Sequence, residues 1–297
     1  MAISKSLTAA AGSRFAAMGG FIALAAGFAG PVAAGQPTDW QTGFQPAASP
    51  TMERIEAFND VLFVIITLIV VFVLALLVVT MWKFSEKRNP TPSRTTHNTL
   101  VEVLWTVIPV IILVVIAIPS FKLLYFADRA EQADMTVKAI GRQWYWSYEY
   151  PDQGDFTFDA YMLADDELED GQPRLLATDN AVVLPVDTKI RLLITASDVI
   201  HSFAMPSMGV KLDAVPGRVN ETWVEITREG MYYGQCSEIC GTGHSYMPIM
   251  IKAVSKADFA AWVEGAKQEF GALDDQGEGD EAPLRLAEAA DDKGKDD

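Results

Sequence analysis

The chain is 297 residues long, carries a formal charge of −16 and is half hydrophobic, with a mean hydropathy of +0.15. So acidic a balance excludes a basic, nucleic-acid-binding surface, and a positive hydropathy beside so many acids requires the apolar residues to lie in separate blocks. Two cysteines and three histidines are the whole stock of thiol and imidazole ligands, and no Cys-x-x-Cys-His motif for haem attachment is among them.

Residues 1–35 run from Lys5 and Arg14 through an apolar stretch, Phe15 to Ala29, to the small residues Val32-Ala33-Ala34-Gly35. That is the order of a secretory signal peptide, with cleavage expected before Gln36. The alternative, a short first membrane helix, is interrupted by Gly19, Gly20, Gly27, Gly30 and Pro31. After an outer segment, 36–60, the run Val61 to Trp82 has no charged residue, and at ~1.5 Å per residue it spans about 33 Å, enough for a hydrocarbon core of ~30 Å. A second apolar run, Val103 to Phe121, contains Pro109 and Pro119, which membrane helices tolerate. The expectation is a transmembrane hairpin, 61–126, with helices at 61–82 and 103–126. Its connecting loop, 83–102, holds Lys83, Lys87, Arg88 and Arg94 against Glu86, so the positive-inside rule places that loop in the cytoplasm. Both mature termini and everything after the hairpin then lie on the periplasmic side of a bacterial inner membrane.

From about residue 128 short strand-like runs take over: Met135 to Tyr150, Ala181 to Val186, Lys189 to Ala196, Val199 to Met205, Thr222 to Thr227, Met231 to Gln235 and Pro248 to Val254. Turn residues separate them, which describes a small β-sandwich or barrel. Within Gln143 to Tyr150, alternation by two predicts Trp144, Trp146, Tyr148 and Tyr150 on one strand face, an arrangement more often core than function. Ser255-Lys-Ala-Asp258 opens an amphipathic helix with Phe259, Trp262, Val263 and Ala266 on one face, ending near Phe270 and closing a domain of residues 128–270. The acidic remainder, 271–297, reads as a disordered tail.

The chemistry is concentrated in Cys236-Ser-Glu-Ile-Cys240-Gly-Thr-Gly-His244-Ser-Tyr-Met247, with His201 upstream in an apolar strand-like run. Thiolate, imidazole and thioether are the donors of a redox copper site, whereas structural zinc takes four Cys or His ligands and no Met. Two cysteines where a single blue copper uses one point to two metals bridged by two sulfurs. A plain disulfide is the competing reading in an exported chain. A bridge between residues four apart would close a very small loop with little effect on the unfolded chain, and it would leave His201, His244 and Met247 unexplained.

These residues resemble a known family. Thr96-His97-Asn98 with Glu102 and Trp105, Gln143 to Tyr150, Asp198-Val-Ile-His201, Asp213-Ala-Val-Pro-Gly-Arg218 and the Cys236 to Pro248 loop occur in the order seen in subunit II of the haem-copper oxidases, of the cytochrome c oxidase type found in α-proteobacteria and mitochondria. The resemblance implies a membrane-anchored α+β chain: a two-helix hairpin followed by a cupredoxin-like all-β barrel carrying a binuclear copper centre. Cys236 and Cys240 would bridge the metals, His201 and His244 would be terminal ligands, and Met247 and the carbonyl of Glu238 would be weak axial ligands. The Glu238 side chain would help hold Mg²⁺ or Mn²⁺ shared with subunit I, though a plain surface acid is the alternative. Trp144 would receive electrons from cytochrome c. Glu149, Asp159, Asp179 and Asp198 match acids that dock this donor, although each could serve solubility alone. Glu102 would stand at the mouth of a proton path into subunit I, or be an ordinary helix-end acid. The implied function is an electron-input subunit, passing electrons from cytochrome c to haem in subunit I, where oxygen is reduced and protons are pumped; subunit III is a further expected partner, and the lipid bilayer a third contact. Phe203 stands where many relatives have Trp, and the segment between Asp159 and Leu176 is short. A copper-storage module, or a nitric oxide reductase with a similar copper subunit, would share the ligands but not the whole assignment.

Overall fold

The computed structural model describes residues 35–91, 93–128 and 132–271; the expected signal peptide, residues 1–35, lies outside them except for its last residue, Gly35, as does the acidic tail beyond Gly271. Two helices come first. α1 spans Pro50–Lys83, beginning well before the apolar run at Val61. Ser49, extended at φ −148, accepts a hydrogen bond from Met52 N, Pro50 occupies the first turn and Glu53 meets its positive end, so capping starts the helix while hydropathy marks only its apolar part. α2 spans Thr99–Asp128 and contains both Pro109 and Pro119. Each helix is long and apolar enough to cross a membrane, and the apolar window of each has no residue buried within the chain. Such faces require lipid or neighbouring helices to cover them.

The remaining described residues form two five-stranded sheets. The first has the order β3-β2-β1-β5-β8, from β1 (Met135–Arg142), β2 (Tyr145–Tyr150), β3 (Phe156–Ala160), β5 (Lys189–Ala196) and β8 (Asn220–Glu225). The second has the order β4-β10-β9-β6-β7, from β4 (Val182–Pro185), β6 (His201–Met205), β7 (Val210–Ala214), β9 (Gly230–Cys236) and β10 (Pro248–Val254). β1 runs parallel to β5 and β4 parallel to β10, while the other neighbours are antiparallel.

Two departures from the sequence expectation have physical causes. The run 135–150 is a hairpin, not one strand: Arg142 pairs with Tyr145, so Trp144 sits in the turn and leaves the aromatic stripe. Trp146, Tyr148 and Tyr150 keep to the stripe and are fully buried. Strands β3 and β7 were not anticipated. Both are five-residue edge strands with partly exposed alternate positions, too short for periodicity to separate them from turns.

Helix α3 (Lys256–Glu269) is capped by Ser255, whose Oγ accepts from Asp258 N at 3.1 Å. Val263 and Ala266 are buried, and Trp262 meets Tyr150, Phe156 and Phe158 at centroid distances of 5.2, 5.7 and 6.4 Å. Helix α3 thus completes the aromatic core of the first sheet.

The segment ahead of α1 is sewn to the second sheet. Ala48 N donates to Ser207 O at 2.8 Å and Thr227 N to Ala48 O at 2.9 Å; the bond from Tyr233 N to Gly35 O at 3.1 Å involves the last residue of the expected signal peptide. At the far end of α2, Trp223 Nε1 donates to the Phe126 carbonyl at 3.0 Å and Thr222 Oγ1 reaches that of Ala127. Terminal carbonyls that have no helical partner are satisfied by the β-domain, so the start of α1 and the end of α2 are both fixed to it.

Candidate metal centre

Strand pairing brings the distant ligands together. β6 and β9 are neighbours with Phe203 opposite Cys236, so the first residue of β6, His201, stands beside the last residue of β9. The loop then returns to β10, closed by Cys236 N to Met247 O at 3.4 Å and Ser237 N to Ser202 O at 2.9 Å. A 3₁₀ turn at His244–Tyr246 aims His244 back at the loop.

The resulting donor set is continuous. Cys236 Sγ lies 3.8 Å from Cys240 Sγ. His201 Nδ1 is 3.9 Å from Cys236 Sγ, and His244 Nδ1 is 3.5 Å from Cys240 Sγ. Met247 Sδ stands 3.5 Å from Cys240 Sγ, and the Glu238 carbonyl 3.4 Å from Cys236 Sγ. Both thiols are free and buried, so the disulfide alternative does not describe this fold. The donor atoms of His201, Cys236 and Cys240 all lie within 4.8 Å of one another. Soft thiolates with imidazole and thioether suit copper, and the residues present can hold it.

The surroundings fix these donors. Asp198 Oδ1 lies 2.8 Å from His201 Nε2, which leaves Nδ1 to face the sulfur, a common support for a metal-binding imidazole. Asp198 also accepts from Val199 N and, through Oδ2, from Gln143 N, both at 2.7 Å. Gln143 Nε2 and Trp144 Nε1 both donate to the Cys240 carbonyl, at 2.7 and 3.1 Å. Trp146 Nε1 donates to the Met247 carbonyl at 3.3 Å. A side chain on Gly141 would come within 2.8 Å of the His201 ring, so glycine there lets β1 lie against the ligand.

Electrostatics separates the two thiols. Burial raises both, but hydrogen bonding to His201 and to the Glu238 backbone outweighs it at Cys236, lowered to about 6. Burial and then the adjacent Cys236 charge push Cys240 up to about 12. Two thiolates side by side therefore require a cation between them. Burial opposes protonation of His201, yet its contacts with Cys236 and Asp198 raise it, and burial of Asp198 is offset by hydrogen bonds from His201, Val199 and Gln143 that lower it.

The other residues singled out in the sequence fall in three places. Trp144 is half-buried in the β1–β2 turn against the ligand loop, and the Glu238 side chain is exposed on that loop. Glu149 pairs with Lys138 at 2.8 Å; Asp159 accepts from Ser147 Oγ at 2.5 Å and Tyr161 OH at 3.3 Å; Asp179 accepts from Tyr161 N and Asn180 N, each at 2.7 Å. Asp198 faces the His201 ring. Glu102 is elsewhere, in the first turn of α2, where its Oε1 accepts from Asn98 N at 3.2 Å. Gln143 and Gly141 are not among the site residues expected from the sequence, although Gln143 opens the marker Gln143 to Tyr150. The support role of Asp198 was open to reading in the spacing Asp-Val-Ile-His.

Residues 135–254 match the family "Cytochrome C oxidase subunit II, periplasmic domain", and residues 37–123 match "Cytochrome C oxidase subunit II, transmembrane domain". A probable cytochrome c oxidase subunit 2 of Rickettsia bellii is 55% identical over 230 residues, covering 77% of this chain and 86% of its own. The cytochrome c oxidase subunit 2 of Oenothera berteroana is 55% identical over 231 residues, covering 75% and 89%. Among solved structures, the periplasmic domain of subunit II of cytochrome oxidase from Bradyrhizobium japonicum is 56% identical, covers 47% of this chain and 97% of its own, and superposes with a TM-score of 0.44. By the two family matches and the described helices and sheets, the fold is a membrane-anchored hairpin followed by a cupredoxin-like β-domain able to hold copper. With matches across both of its parts and relatives of more than half identity over most of its length, the chain belongs to the cytochrome c oxidase subunit II family and is a subunit of a haem-copper oxidoreductase complex.

Proposed function

We propose that this chain takes electrons one at a time from cytochrome c on the periplasmic side of a bacterial inner membrane and hands them to haem in subunit I, where oxygen is reduced and protons are pumped. His201, Cys236, Cys240, His244, Met247 and the Glu238 carbonyl would hold two coppers between them. Such a pair, when bound, would supply a one-electron site whose charge is shared by both metals. The observation that carries this reading is the symmetry of the donors: one imidazole nitrogen lies beside each sulfur, at 3.9 and 3.5 Å, with the sulfurs 3.8 Å apart.

The chain's own residues have definable tasks. Asp198 holds the His201 ring in one orientation, while Gln143, Trp144 and Trp146 hold the loop carbonyls of Cys240 and Met247. Ligands braced in this way move little when charge changes. Trp144, half-buried and bonded to the backbone of a ligand, receives the electron. The exposed carboxylate of Glu238 suits Mg²⁺ or Mn²⁺ at the contact with subunit I. Asp159 and Asp179, with Glu149 and Asp198, steer a basic donor. Glu102 feeds protons toward subunit I from the cytoplasmic loop 83–102, and subunit III completes the partners. Residues 1–35 are removed as a signal peptide, leaving both mature termini outside.

The test is the chain purified with its partners. Copper analysis should give two metals per chain, and electron paramagnetic resonance should show hyperfine splitting from one electron shared by two coppers. The pattern of a single copper would overturn the binuclear assignment. Failure to take electrons from ferrocytochrome c with the copper in place would leave a copper-holding module.

A further inference from the structure

Two glycines in the ligand loop touch the same ring. Gly241 has a φ of +118, a backbone that favours glycine whatever surrounds it. Gly243 differs. Its φ of −89 and ψ of 12 are open to residues with a side chain, so the backbone does not account for glycine at this position. Trp144 does: a Cβ built on Gly243 would fall inside the contact radii of Trp144 Cδ2 and Cγ and reach Cε3 at 2.8 Å. These atoms belong to the rigid body of the indole, not to the end of a flexible chain. The same indole donates from Nε1 to the Cys240 carbonyl at 3.1 Å.

We propose that Gly243 is a positioning residue for Trp144. The missing side chain is the seat on which the indole lies, and that seat keeps Nε1 on the Cys240 carbonyl, joining the ring to the backbone of a metal ligand through one hydrogen bond. The functional consequence rests on the electron-input reading of Trp144; the geometric claim does not. The loop bonds that shape the His244 turn are backbone bonds, His244 N to Gly241 O at 3.2 Å and Tyr246 N to Gly243 O at 2.9 Å, and an alanine at 243 retains them. Gly243→Ala therefore displaces Trp144 while His244 stays in place.

The test is a double-mutant cycle in the assembled oxidase with Gly243→Ala, Trp144→Ala and both together. Gly243→Ala is expected to keep its copper content and copper resonance spectrum while losing as much of its rate with ferrocytochrome c as Trp144→Ala loses, and the double variant is expected to lose no more than either. An unchanged rate in Gly243→Ala, multiplied losses in the double variant, or copper loss from Gly243→Ala that persists in the Trp144→Ala background would each overturn the proposal. If Trp144→Ala keeps the full rate, the electron-input reading fails, and the seat is judged on thermal unfolding alone. Gly243→Ala should then lower the melting temperature in the presence of Trp144 and have no effect in the Trp144→Ala background; an equal drop in both would sink it.

Discussion

Asp198 and His201 stand one helical-turn spacing apart in sequence and meet at 2.8 Å, the carboxylate on Nε2 and the Cys236 sulfur on Nδ1 of a fully buried ring. The ring is held from both edges, so its orientation is set before any metal arrives. Removing the carboxylate with Asp198→Ala frees the ring and also strips Gln143 N and Val199 N of their acceptor. Supports of this kind are worth roughly 10–100-fold in metal affinity. Competition with a copper chelator should show a weakening of that order in Asp198→Ala. An unchanged affinity would reduce Asp198 to a surface acid with a donor-docking role only.

Lys138 and Glu149 form an ion pair at 2.8 Å with side chains only 29% and 28% exposed. The pair offsets the charge of one of the four acids expected to steer cytochrome c, so Lys138 and Glu149 together add little to the long-range field. Lys138→Gln should raise the rate constant for ferrocytochrome c at low ionic strength and steepen its fall with salt, because complementary charge acts mainly on encounter. Glu149→Gln, which leaves the Lys138 charge uncompensated at the same place, should change both by a comparable amount in the opposite direction. Rates measured against ionic strength would decide it, and a Lys138→Gln variant with an unaltered salt slope would remove this face from the encounter.

The donor cluster was legible in the sequence because its residue types are rare: with two cysteines and three histidines in the whole chain, two thiols, an imidazole and a thioether in one loop have few bland explanations. The membrane helices were equally legible in hydropathy, but their ends were not. Ser49 and Asn98 start each helix through hydrogen bonds to Met52 N and Val101 N, and such caps leave no trace in an apolar run. The hairpin turn at Gln143-Trp144 was hidden because aromatic residues fill both the turn and the strand after it. Alternation by two cannot tell a strand residue from one just beyond the strand. Gln143 and Gly141 became visible as parts of the site only once β1 was laid beside His201, a neighbourhood made by folding.

Glu102 accepts from Asn98 N at 3.2 Å while Asn98 Oδ1 accepts from Val101 N at 3.2 Å, a reciprocal cap at the start of α2. A loss of function in Glu102→Ala would therefore mix a lost proton carrier with a frayed helix. Glu102→Gln separates them, since an amide oxygen still accepts from Asn98 N but the group no longer carries a proton. The expected outcome is unchanged assembly and thermal stability with slowed oxygen consumption and proton release. Full turnover and pumping in Glu102→Gln would leave the carboxylate with the capping role alone.

Trp223 joins the β-domain to the membrane hairpin. Its Nε1 donates to the Phe126 carbonyl at 3.0 Å, its ring meets Phe126 edge-on at 5.2 Å, and the Arg54 guanidinium lies 3.6 Å from the centre of the same phenyl ring. Residues from α1, α2 and β8 therefore converge on one side chain. Trp223→Phe keeps an aromatic ring but leaves a helix-terminal carbonyl without its donor, at a cost of about 1 kcal/mol. Arg54→Ala removes a cation–π contact worth roughly 0.5–2 kcal/mol. Because both act through Phe126, their effects should fall short of adding, which chemical unfolding of the reconstituted chain can measure. Strict additivity would mean that the two contacts are independent, and that the hairpin and the β-domain are joined by separate ties instead of a shared one.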